Sequence, residues 1–86
     1  MQFEGAVIRE QGVTFAVVVV RKQVIDYRTE ADRAIRSFSG VFPGMPVVLM
    51  AQDSRGTPTY FGRPDLSRFL ANTQLGAIPW QHYRLN

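Results

Sequence analysis

An α+β (or small α/β) fold follows from three observations on these 86 residues. Residues 15–20 and 47–51 are apolar at odd and even positions alike, as central strands covered on both faces are. Each of these runs has a second strand-like run beside it, across a short turn signal. Residues 29–39 and 64–71 carry their apolar side chains at helical spacing. The order is β-β-α-β-β-α: a single four-stranded sheet with two helices and an aromatic C-terminal tail. Residues 1–86 make one domain, since a chain of this length holds no more.

Residues 3–9 form the first strand and 13–21 the second. Glu10-Gln11-Gly12 turns between them, with Gly12 free to take a positive φ. In the second strand Phe15, Val17 and Val19 face one side, and Ala16, Val18 and Val20 the other. Residues 21–28 are a linker with some apolar content. Thr29 is the expected N-cap of the first helix, with Asp32 at the capping-box position. Ala31, Ala34, Ile35 and Phe38 make its apolar face, and Asp32 pairs forward with Arg36. Ser39-Gly40 ends it, with Gly40 in a left-handed cap.

Pro46 opens the third strand, residues 47–52. Asp53-Ser54-Arg55-Gly56 has Asp first and Gly last, the preference of a type I turn. Residues 57–62 form the fourth strand, expected at an edge because Pro58 has no N–H to donate. Pro64 and Asp65 start the second helix, whose apolar face is Leu66, Phe69 and Leu70, and residues 72–76 end it. The tail, residues 77–86, either adds a last short strand or lies across the body.

The second and third strands are expected to be parallel neighbours joined by a right-handed crossover. The sheet then reads 1-2-3-4, mixed; a fully antiparallel sheet of another strand order is the alternative. Such connections let both helices lie on one face. The other face would be covered by the tail (Ile78, Trp80, Tyr83, Leu85) together with a second copy of the chain. Leaving it bare costs about 25 cal/mol per Å² of apolar surface.

Gly44-Met45-Pro46-Val47, followed by a hairpin, a glycine and a helix ending Phe69-Leu70, resembles the C-terminal half of thioredoxin-like domains. The resemblance runs over residues 15–71. In that family the corresponding proline is cis and faces catalytic cysteines, so the resemblance implies a cis Met45–Pro46 bond. This chain has no cysteine, which removes the family's redox chemistry. Residues 3–17 and 44–70 also resemble a family of short uncharacterised bacterial proteins. That likeness implies a compact cytoplasmic domain and nothing about activity.

Without cysteine, disulfides, thiol catalysis and thiolate metal sites are excluded; the single histidine excludes a site built on several imidazoles. No cofactor or metal is expected. His82 lies in the tail, a poor place for an oriented general base. Ser37, Ser39, Ser54 and Ser67 lie in no G-x-S-x-G elbow. Glu10, Asp53 and Asp65 are explained by turn and cap chemistry. Ser54-Arg55-Gly56-Thr57 lacks the spacing and lysine of a phosphate loop. No catalytic residue is assigned, and the chain reads as a non-enzyme.

No signal peptide is visible at the N-terminus, and the longest apolar run is far too short to span a bilayer. A soluble cytoplasmic protein is expected, with no membrane partner. Ten basic side chains against seven acidic, net +3, permit contact with anionic partners. The basic residues are scattered, unlike the stripe of a nucleic-acid footprint. Arg55, Tyr60 and Arg63 on the second hairpin, with Trp80 and Tyr83 of the tail, are the candidate binding residues. Arginine and aromatic side chains serve both protein hot spots and stacking on nucleic acid. The expected role is a binding or assembly module, acting through the second hairpin and the open sheet face on itself or another protein. The alternative is a basic nucleic-acid-binding domain using Arg9, Arg21, Lys22, Arg55, Arg63 and the edge aromatics.

Overall fold

The alternating Gln2–Glu10 segment and the Val-rich Val13–Val19 segment form β1 and β2, paired antiparallel around Gly12, whose φ is +80°. The computed structural model describes residues 1–10 and 12–85, so Gln11 of the expected turn lies outside the described residues. Two helices follow, α1 (Lys22–Asp26) and α2 (Arg28–Ser39), then β3 (Val47–Gln52) and β4 (Pro58–Phe61). After them come α3 (Pro64–Ala71), a 3₁₀ turn at Leu75–Ala77 and β5 (Gln81–Arg84). The class is α+β, and one mixed sheet runs β4-β3-β2-β1-β5. The central pair β2–β3 is parallel and its neighbours are antiparallel. The expected order of the first four strands is present, with β4 at an edge.

Among the described residues the sheet has five strands, not four, because the tail pairs with β1 from Gln2↔Arg84 to Gly5↔Gln81. Its side chains hold it there. The Tyr83 ring stacks on Phe3 at 5.0 Å and meets Phe42 edge-on at 5.3 Å. Such aromatic pairs contribute about 0.5–1.5 kcal/mol each beyond area burial. Main-chain bonds between Met1 and Leu85 close the end of the ladder.

Among the described residues there are three α-helices, not two. The linker holds α1, which inserts Val24 and Ile25 against the core. Tyr27 stands extended between α1 and α2 and is the N-cap of α2, so Thr29 lies already inside the helix. Asp32 pairs back with Arg28 at 3.8 Å and not forward with Arg36. Gly40 is right-handed (φ −71°), because the chain keeps turning after Ser39. The N–H groups of Val41 and Phe42 both reach the Phe38 carbonyl, which carries Phe42 into the core beside Phe3. The left-handed position falls later, at Gly44 (φ +79°), and the Met45–Pro46 bond is trans, since no described peptide bond is cis.

Register decides which side chains share a face. Ala16 lies beside Val47 and Val17 beside Val48, an odd offset. Even positions of β2 therefore join odd positions of β3. Ala16, Val18, Val47 and Leu49 pack with Ala31 and Phe38 of α2. Phe15, Val17, Val48 and Met50 pack with Leu66 and Leu70 of α3. The helices cover opposite faces, so the bare apolar face expected from the sequence does not exist. The tail completes both layers: Ile78 and Trp80 join the α3 side, Tyr83 and Leu85 the α2 side.

Candidate functional site

The five sequence-derived candidates do not gather on one surface. Arg55 is exposed at the tip of the β3–β4 hairpin. Asp53 builds that tip: its Oδ1 accepts from the N–H groups of Arg55 (2.8 Å) and Thr57 (3.0 Å), and its carbonyl accepts from Gly56 N–H. Gly56, at φ +83°, closes the turn as expected of Asp first and Gly last. Arg63 precedes α3 and grips the Asp65 carboxylate through two bonds of 2.9 Å. That hydrogen-bonded guanidinium is the main reason the Asp65 carboxyl sits below its usual range.

Tyr60 points to the α3 layer from β4, and Trp80 joins the same layer from beside β5, on the far side of the sheet. Trp80 Nε1 donates to the Leu75 carbonyl at 3.0 Å. Tyr83 faces the other layer, between Phe3 and Phe42. Three of the five are thus engaged with the core. His82 is exposed, with Nε2 2.9 Å from Gln2 Oε1. Among the described residues, no three His, Asp or Glu side chains gather where a metal ion could be held. No helix there is long and apolar enough to cross a membrane.

The hydroxyls of Tyr60 and Ser67 are buried without a hydrogen-bond partner among the described residues. Burial also pushes the Tyr60 phenol above its ordinary value. The unfolded chain then loses this proton first. Stability that is fully present below the unfolded value near 10 falls as pH rises towards and through the folded value. Tyr60→Phe removes both an unsatisfied buried group and this alkaline loss. It is expected to raise stability by about 1 kcal/mol at pH 7 and to flatten the decline above pH 10, read by urea melts at both pH values. A loss of stability at pH 7 would show that the hydroxyl has a partner.

Clefts among the described residues flank the sheet. One, of about 580 Å³, lies between the β1–β2 turn and α3, lined by Glu10, Val13, Asp65, Arg68, Phe69 and Asn72, among others. Its polar groups are partly spoken for: Asp65 by Arg63, and the Asn72 amide by the Arg68 carbonyl. Another, of about 400 Å³, has Pro46, Phe61, Gly62 and the paired Arg28–Asp32 in its wall.

The most available feature is an edge. The nine-residue β1 is matched by the four-residue β5 only from Gln2 to Gly5. Among the described residues no strand pairs the outer side of Ala6–Glu10 and no main-chain bond from elsewhere reaches it, but Ala6 is fully buried with Ile78 and Trp80, so the accessible edge runs from Val7 to Glu10. Along this stretch Val7 is 41% exposed, Arg9 is exposed, and Ile8 and Glu10 are half-buried. Arg9 and Glu10 take part in no ion pair among the described residues. Sequence reasoning missed this site because a free edge depends on where β5 stops. The one local signal is Val7 itself, an apolar residue on the α2 face beyond the reach of α2. Comparison of the chain with family models, curated proteins and solved structures gives no match.

Proposed function

We propose that this protein is a non-enzymatic binding and assembly module that takes an extended partner strand onto the outer edge of β1 at Val7–Glu10. The observation that carries this reading is that β5 ends at the level of Gly5, halfway along β1. An unpaired strand edge presents a row of main-chain donors and acceptors ready to accept another strand. Main-chain bonds supply affinity in such strand addition, and alternate side chains supply selectivity. Val7 and Arg9 select on one face, Ile8 and Glu10 on the other. The opposite edge of the sheet is guarded by Pro58 in a four-residue strand.

The test is selection of displayed random peptides on the wild-type chain. Binders are expected to alternate apolar and polar residues and to lose binding to an edge-blocked Arg9→Pro variant that keeps its fold by circular dichroism. Binders indifferent to that variant would refute the edge as the site. A mixed-sequence oligonucleotide titrated at low salt separates the nucleic-acid alternative. Salt-reversible shifts at Arg9, Arg21, Lys22, Arg55 and Arg63 would favour it.

A further inference from the structure

We infer that the partner at the accessible β1 edge is a segment of a different protein that pairs antiparallel with Val7–Glu10 and reads, in chain order, basic, acidic, apolar, apolar. This rests on the edge-binding reading and names the partner's chemistry. The β5 ladder fixes which main-chain groups are on offer. Met1 and Leu85 exchange both of their main-chain bonds. Odd residues of β1 therefore turn N–H and C=O outward, and even residues turn theirs towards β2. Those of Gly5 face Gln81, which leaves the N–H and C=O of Val7 and Arg9 for a partner. Antiparallel pairing is the more stable kind, and β5 already meets this edge that way. Beyond Val7 the way is closed, because Ala6 is buried with Ile78 and Trp80. The incoming strand must end or turn away past the residue that faces Val7.

Side chains directly opposite in a pair of strands share a face and interact, and like charges set opposite are destabilising. Glu10 and Arg9 take part in no ion pair among the described residues. Glu10 therefore selects a basic residue and Arg9 an acidic one. Half-buried Ile8 and Val7, 41% exposed, select apolar residues. An antiparallel partner meets Glu10 first, which gives the stated order. This chain holds no such segment. Its one basic-to-acidic step is Arg9-Glu10, followed by Gln11-Gly12, so a second copy does not supply the complementary strand.

Two peptides of equal composition test the pattern. They are acetyl-Ser-Thr-Lys-Glu-Val-Val-amide and its exchanged form acetyl-Ser-Thr-Glu-Lys-Val-Val-amide, each titrated into the ¹⁵N-labelled full chain. The first is expected to bind about tenfold more tightly, since the exchange turns two attractive cross-strand pairs into two repulsive ones. It should also shift the amide signals of Val7 and Arg9. The double variant Arg9→Glu/Glu10→Arg keeps the net charge and should reverse the preference. Arg9→Gln, which stands in if the double variant does not fold, should reduce it to about threefold. Equal affinity for the two peptides, no binding of either, or a preference that these variants leave unchanged would overturn the proposal. If that happens while capture of displayed peptides is still lost in Arg9→Pro, the charge pattern is wrong and the edge reading survives. If capture is also insensitive to Arg9→Pro, both fall.

Discussion

Phe15→Ala is expected to lower the thermal midpoint by about 15–35 °C. Phe15 is 0% exposed at the centre of β2. Its ring meets Phe69 of α3 edge-on at 6.4 Å, with Ile8 beside it across the β1–β2 ladder. It thus joins the sheet to α3. Truncating a buried phenylalanine costs about 3–5 kcal/mol, through lost transfer energy and the cavity left behind. A domain of this size has only about 4–13 kcal/mol in all, and each kcal/mol moves the midpoint by about 4–8 °C. Circular dichroism melts of the variant and of Val7→Ala, a surface control expected within about 0.5 kcal/mol of wild type, give the comparison. A midpoint within 5 °C of wild type would mean that α3 does not depend on this ring.

Gly5→Ala is expected to cost about 1–3 kcal/mol through overpacking, although it adds one methyl group to a strand. A Cβ at Gly5 would stand 2.8 Å from the carbonyl oxygen of Val17, which is backbone and cannot step aside. The stacked rings of Phe3 and Tyr83 lie within 3.5 and 3.6 Å of the same point. Relief must come from shifting β1 against β2 or lifting β5 from β1. The second path releases Trp80, the single tryptophan, from the α3 layer. A red-shifted emission is therefore expected along with the lower midpoint. Gly40→Ala is the matched control. Gly40 has helical φ, and its added Cβ would sit 3.4 Å from the Ser37 carbonyl oxygen, which needs at most a slight adjustment. That change should stabilise by about 0.4–1 kcal/mol, since alanine restricts the unfolded chain more than glycine does. Equal effects of the two substitutions would show that close approach at Gly5 is not what limits it.

If the edge reading holds, stability and association are linked through β5. The strand that closes half of β1 is held by Phe3, Tyr83 and Gly5, and its length defines how much edge is left. Loosening β5 would lengthen the free edge. Gly5→Ala should then broaden the set of peptides captured at the edge as well as lower the melting point.

Local pattern made much of this fold legible in the residues themselves. Apolar side chains on both parities of residues 15–19 and 47–51 marked β2 and β3 as central. Asp53 and Gly56 marked the hairpin, and Pro64 the start of α3. Ala31, Ala34, Ile35 and Phe38 marked the buried stripe of α2. These are short-range signals, carried by backbone preference and side-chain periodicity within a few residues. What the tertiary structure decided was relative placement. The odd offset between β2 and β3, set by the crossover through α1 and α2, chose which residues share a face and sent the helices to opposite sides. The packing of Phe42 against Phe3 and Tyr83 goes with a chain that keeps turning past Gly40 after the helix ends. Pairing of residues 81–84 with residues 2–5 joined segments from opposite ends of the chain, which no local periodicity encodes. It drew Tyr83 and Trp80 into the core, away from the surface role their residue types suggested, and left Val7–Glu10 as the accessible edge.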